Sequence, residues 1–381
     1  MVICYRKTAA NASPREKVSL NFKNFIIALA FSPLRQYNVA MQNNKFQFIV
    51  QFQITYPAKL EFDSQEVIHM KYGFGVDLGG TTVKIAYFDQ EGNMLHKWEI
   101  PTVTENSGAQ ILPDIAAAIR QYLDRNSIPD ESIIGIGIGV PGPVDDTGMV
   151  NKCVNLGWGV FNIHEQLRDL TGFPVRAGND ATVAALGECW KGGGKGCRNM
   201  VMATLGTGVG GGIIIGGRAL NGVHGSGGEI GHMVINRDET DVCGCGKRGC
   251  VEQYCSATGI VRVAKKYLAA TDAPSCLRQP EKLTCKDVFD AGKAGDEAAL
   301  AILEQVYAYM GEFLANISNV LDPEVIVLGG GVSKAGTPLL EGAKRHFDKW
   351  VFHGAKDVRF SLATLGNDAG AYGAFKLILE D

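Results

Sequence analysis

The chain begins the same pattern twice, and that repetition limits what it can fold into. Phe74-Gly-Val-Asp77-Leu-Gly79-Gly80-Thr81-Thr82-Val-Lys84-Ile-Ala-Tyr-Phe88 reads as strand, Gly/Thr turn, strand, and Glu91-Gly-Asn turns the chain into a third strand over 94–100. Met200-Val-Met-Ala-Thr204-Leu-Gly206-Thr207-Gly208-Val-Gly210-Gly211-Gly212-Ile-Ile-Ile-Gly repeats the pattern, and 218–220 continue toward another strand. The two stretches barely match residue for residue, so what recurs is architecture. Each hairpin starts an α/β half: 70–190 is expected to be the first and 191–366 the second. Within them, 133–140 is a buried strand ended by Pro141-Gly142-Pro143, and Val325-Ile-Val-Leu runs into Gly329-Gly330-Gly331. Apolar residues at helical spacing (Ile111, Ile115, Ala118, Ile119, Tyr122) predict a helix over 108–125. Further helices are expected from Asn179-Asp180 through Trp190, over 257–270 and 297–321, and in a last segment, 367–381, that can pack back on the first half.

Glycine is abundant, at 48 residues, and clustered. Clustered glycine lets backbone approach a ligand closely. In Asp77-Leu-Gly79-Gly80-Thr81-Thr82, successive N–H groups and hydroxyls form a concavity suited to phosphate oxygens. Asp77 can hold Mg²⁺ directly or through water. Gly206-Thr207-Gly208 is a second such turn, and Gly329-Gly330-Gly331 a third, on which a nucleotide can lie. None is a Walker A loop, and none carries the dinucleotide fingerprint. Singly, each is compatible with an ordinary turn. Together, on two duplicated halves, they imply a nucleotide clamped between domains. Asn179-Asp180 has two readings as well: a helix N-cap, which both residue types favour, or a general base with a hydrogen-bonding neighbour.

His232, Cys243, Cys245 and Cys250 form a Cys₃His set within about twenty residues, the donor chemistry of tetrahedral Zn²⁺. A Cys243–Cys245 disulfide would close a strained loop, whereas Gly244, Gly246 and Gly249 let the chain fold around an ion. Four protein ligands leave no position for an activated water, so the zinc is expected to be structural. Seven further cysteines lie outside this cluster with no framework spacing, which suits a reduced, cytoplasmic protein. Glu229 and Glu252 flank the cluster, as if it aims carboxylates at a substrate.

These elements resemble the ROK family of sugar kinases and repressors, and within it the bacterial ATP-dependent glucokinases. The resemblance covers 72–381 and none of 1–69. Glu229-Ile-Gly-His232 followed by Cys-Gly-Cys-Gly-x-x-Gly-Cys-x-Glu carries it most specifically. It implies a duplicated actin/hexokinase-like (ribonuclease H-like) fold and transfer of phosphate from ATP, with Mg²⁺, to the 6-hydroxyl of glucose. It implies Asp180 as the general base, and Asn179, Glu229, His232 and Glu252 on the sugar hydroxyls, with Asn155 and Gly142 lining the pocket. It places the phosphates on Asp77, Gly79, Gly80, Thr81, Thr82, Lys84, Gly206, Thr207 and Gly208, and the adenosine on Gly329, Gly330 and Gly331. His232 then serves twice, one ring nitrogen on zinc and the other on the sugar. Similar proteins form dimers or tetramers, so a homo-oligomer is expected.

Alternatives within the family are kinases of N-acetylmannosamine, N-acetylglucosamine, fructose or allose, and a sugar-responsive repressor. A repressor needs an N-terminal helix-turn-helix, but 1–69 shows Phe/Gln alternation over 46–54 and Pro at 14, 33 and 57. That segment holds eight Lys/Arg against four Asp/Glu, so +4, while the remainder holds 29 against 36, so −7. A net charge of −3 argues against a nucleic-acid partner. The apolar run 25–31 is too short to span a bilayer, and no membrane association is expected. Met70 directly precedes the first patterned strand and is expected to be the functional start, with 1–69 an extension without defined fold.

Overall fold

Strands β1 (Tyr72–Leu78), β2 (Thr82–Asp89) and β3 (Met94–Pro101) form an antiparallel meander in the computed structural model, which describes residues 70–379. The expected extension 1–69 lies outside the described residues. Strands β4 (Ile133–Val140) and β7 (Val175–Asn179) add to β1 in parallel, giving the order β3-β2-β1-β4-β7. The small antiparallel pair β5 (Met149–Cys153) and β6 (Trp158–Asn162) stands apart. The second half repeats the first. Strands β8 (Met200–Leu205), β9 (Val209–Ile215) and β10 (Arg218–Ala219) form a meander, and β11 (Val325–Gly329) and β12 (Arg359–Leu362) extend it in parallel, in the order β10-β9-β8-β11-β12. Strand order and polarity match position for position, which is the duplicated α/β fold anticipated from the two hairpins.

Glycine in the first sheet decides what covers it. A Cβ at Gly75 would strike the Ala371 carbonyl, and one at Gly137 the Ala374 carbonyl. With no side chains there, the helix Ala369–Leu377 lies directly on β1 and β4. Phe375 stacks on Phe88 at 4.7 Å between ring centroids, and both rings are fully buried. The opposite face buries Ile111, Ile115, Ile119 and Leu123 of the helix Ile111–Arg125. The helix Asp180–Lys191 packs on Ala369–Leu377 and also on β9 of the second sheet, where Gly212 admits Ala185.

The second sheet buries the long helix Glu297–Leu321 together with Ala257–Ala270 and Thr337–Trp350. Asp296 caps the long helix by accepting from the Ala299 N–H at 2.9 Å, and Asp322, at φ 45°, stops it. In both sheets the glycine turns sit at the carboxyl ends of the parallel strands, where open α/β sheets bind ligands.

Candidate active site

β1, β4 and β7 end side by side, with Asp77 paired to Gly139 and Val140 to Asn179. Asn179 caps the next helix: its side-chain oxygen accepts from the N–H groups of Ala181 at 3.0 Å and Thr182 at 3.2 Å, and its amide donates to the Gly142 carbonyl at 3.3 Å. Asp180 is thereby the first helical residue. One of its oxygens accepts from the Ala181 N–H at 2.8 Å. Burial holds its carboxyl above the ordinary carboxylate range, and the charges of Asp77 and Glu229 push the same way, against the lowering effect of the Ala181 N–H. Ala181 abuts the second half, since a Cβ at Gly210 would meet the Ala181 Cβ at 3.3 Å. Asp180 therefore stands where the two halves meet. Cys153 packs on Gly142 and donates to the Pro141 carbonyl at 2.7 Å, with Asn155 exposed on the turn that follows.

The Gly79-Gly80-Thr81-Thr82 turn is closed by the Gly79 N–H donating to the Thr82 carbonyl at 3.0 Å, and Thr102 braces it through Gly79 and Thr81. Gly80, Thr81 and Thr82 are exposed. Below the turn, Lys84 pairs with Asp77 at 3.3 Å across β1 and β2. The Gly206-Thr207-Gly208 turn is fixed by the start of the next domain helix: Gly206 accepts from the Ala257 N–H at 2.8 Å and Thr207 from the Thr258 hydroxyl at 2.7 Å. Gly330, at φ 80°, lies against Leu205, where a Cβ would come within 2.6 Å of the backbone. The second and third glycine turns are thus adjacent, on neighbouring parallel strands. The first turn belongs to the other sheet.

The His232 Nδ1 and the sulfurs of Cys243, Cys245 and Cys250 lie within 4.8 Å of one another. Cys245 and Cys250 sulfurs are 3.6 Å apart, and Cys243 Sγ is 3.9 Å from His232 Nδ1. Tetrahedral ligands about 2.3 Å from a zinc ion stand about 3.8 Å from each other, so the set fits; a disulfide at about 2.05 Å does not. Backbone bonds zip the segment shut, from Ile235 to Gly249 at 2.8 Å and from Val251 to Met233 at 2.9 Å. Gly249 is packed so closely on Asn236 that a Cβ would overlap its carbonyl. The other ring nitrogen of His232 faces Glu229 at 4.0 Å.

Glu252 occupies a position that sequence reasoning did not anticipate. One carboxylate oxygen accepts from the Val209 N–H at 3.0 Å and the other lies 3.8 Å from Cys243 Sγ. It ties the second glycine turn to the Cys₃His cluster. The buried Glu188 was also missed; its signal is a single acid in the otherwise uncharged run 181–190.

A sequence model of the ROK family matches residues 73–381. The chain is 45% identical over 311 residues to a glucokinase of Halalkalibacterium halodurans, covering 80% of this chain and 94% of that one. It is 35% identical over 315 residues to a glucokinase of Thermotoga maritima, covering 80% and 96%. A ROK family glucokinase from Streptomyces griseus, solved with glucose and AMPPNP, superposes with a TM-score of 0.62 at 32% identity, covering 81% of this chain and 98% of that one.

Proposed function

The chain belongs to the ROK family, and on that premise we propose that it is an ATP-dependent glucokinase that makes glucose 6-phosphate, the entry compound of glycolysis. The observation that carries the mechanism is Asp180: a half-buried carboxylate at the junction of the halves, with an elevated proton affinity and neighbours that fix its position. Asp180 accepts the proton of the 6-hydroxyl as that oxygen attacks the terminal phosphorus. Asn179 is held by its capping bonds beside Asp180. Glu229 and His232 bind ring hydroxyls, and Gly142 and Asn155 line the pocket. Glu252 reads a hydroxyl when the sugar is present, from its place between turn and cluster. Carboxylates that read hydroxyls give specificity, because a sugar lacking one leaves them unpaired.

The phosphates rest on the turns 79–82 and 206–208 and the adenosine on 329–331, with Lys84 held near by Asp77. Phosphoryl transfer rests on positioning and charge neutralisation. Asp77 would hold the Mg²⁺ carried with ATP, which would supply part of that neutralisation. The lobes 70–190 and 191–366 form the clamp, with the helix Ala369–Leu377 on the first lobe. His232, Cys243, Cys245 and Cys250 fit the donor set of zinc and would hold it, and the ion would orient His232. A cytoplasmic setting is expected, and among the described residues no helix is long and apolar enough to cross a membrane. The expected assembly is a homo-oligomer.

The test is ATP consumption with Mg²⁺ across glucose, mannose, fructose, N-acetylglucosamine and N-acetylmannosamine. The expected result is a kcat/KM for glucose well above the others. Preference for another sugar would move the substrate while keeping the mechanism, and no turnover in zinc-loaded protein would overturn the kinase reading.

A further inference from the structure

Among the described residues the polypeptide passes between the two sheets twice, through 192–199 and through 363–368. Both passages end on one carboxylate. Glu188 is fully buried. One of its oxygens accepts from the N–H groups of Gly193 at 2.7 Å and Thr364 at 3.0 Å, and the other from that of Leu365 at 2.8 Å. The passages also touch each other, because a Cβ at Gly193 would overlap the Leu362 carbonyl and come 3.2 Å from the Ser361 hydroxyl. Gly192 lies so close to Glu188 that a Cβ there would overlap the carboxylate. A cavity of about 490 Å³ opens beside this knot, lined by Leu186, Trp190, Cys197, Gly217 and Lys376, among others.

We infer that Glu188 is the pivot of the molecule: its carboxylate joins the two passages into one hinge and so sets how the Asp180 half meets the glycine turns of the other. The chemistry suits that task. Three backbone donors converge on this point, and a carboxylate offers them two acceptor oxygens and no competing donor. Glutamine has the same shape but replaces one oxygen with NH₂, which sets donor against donor at Leu365 or at Gly193 and Thr364. Glu188 is a positioning residue. It lies eight residues along the helix from Asp180, about 12 Å at 1.5 Å per residue, and touches no reacting atom. Its effect on turnover comes through geometry, where an error of about 1 Å costs on the order of 10²-fold.

The inference rests on the kinase reading, and its test separates the two. In the full chain, Glu188→Gln is expected to lower kcat roughly 10–100-fold while calorimetry shows glucose affinity within about threefold of the parent. A lower thermal midpoint with unchanged kcat per folded molecule would mean a merely structural role and overturn the inference. Hydrogen exchange on the unaltered protein decides if the variant does not fold. The Gly193, Thr364 and Leu365 amides are expected to stay protected with and without glucose, as at a fixed pivot. Exchange at the rate of open loops, or a change on glucose binding, would overturn it. Absence of turnover in the unaltered protein would sink the kinase reading alone, leaving the exchange data to judge the pivot.

Discussion

Asp180 is the first residue of its helix, so its backbone is fixed while its carboxylate stays at the mouth between the halves. Replacing it with Asn keeps the shape and removes the base. Asp180→Asn is expected to cut kcat by roughly 10²–10⁴ while glucose still binds by calorimetry; turnover near the parent level would refute the assignment. The pH dependence follows from the raised proton affinity. The base must be ionised, so the acid limb of kcat/KM is expected above the ordinary carboxylate range. Ionising a group whose folded pKa lies above its unfolded one costs stability as pH rises through the folded value. Asp180→Asn is therefore expected to raise the thermal midpoint at neutral pH, on the order of 1–3 °C, with no gain below the unfolded carboxylate pKa. An equal gain at all pH values would contradict the linkage. The two readings of Asn179-Asp180 turn out to divide between the residues, since Asn179 is the cap and Asp180 keeps capacity for a partner. Glu188 was illegible for a different reason. Nothing in the sequence says that residues 193, 364 and 365 arrive at one point, and only that convergence explains a buried acid.

At the scale of elements, the helix Ala369–Leu377 and the Cys₃His segment both lie outside the proposed reacting centre. Phe375 fills the space between that helix and Phe88. Phe375→Ala is expected to cost about 3–5 kcal/mol, read as a drop in denaturant midpoint with kcat unchanged in the folded fraction. A loss under about 1 kcal/mol would show that the helix is dispensable to the first sheet. In the metal segment, Cys245→Ser leaves the fold's core untouched, because Cys245 is exposed. Elemental analysis is expected to find one zinc per chain in the parent and none in the variant, whose glucose KM is expected to rise about 10–100-fold through His232. An unaltered protein without zinc would reject the site. Elements with strong periodicity and caps were legible: Ile133–Val140, Val325–Gly329 and Glu297–Leu321 lie where the pattern put them. The pair β5 and β6 was not, since Asn151 and Lys152 interrupt its apolar alternation and Lys152 takes φ 65°. The helix Thr337–Trp350 carried a start signal, Pro338 in its first turn, that was passed over. The helix over 108–125 begins later than expected, at Ile111, after a separate kinked turn at 105–108.

For the whole molecule, duplication places one set of turns on each sheet, and the halves meet again at the rim. Asn221 donates to Asp146 at 2.8 Å, and Gly225 sits against the backbone of Val144. This contact lies on the loop that follows Gly142. An exposed hydrogen bond contributes about 0.5–1.5 kcal/mol, so Asn221→Ala is expected to raise the glucose KM roughly 2–10-fold and leave the ATP KM and thermal midpoint unchanged. Equal effects on both substrates would mean the contact does not belong to the sugar side. The helix Ala369–Leu377 has a final consequence, for the order in which the protein is made. The first sheet is complete in sequence at Asn179, yet the helix that covers its glycine-lined face comes only at Ala369. At about 5–20 residues per second, a ribosome needs roughly 10–40 s to cover that stretch. Throughout that interval the nascent chain lacks the helix that covers Phe88 and the glycine-lined backbone of β1 and β4, so that face of the first sheet waits on translation for its lid.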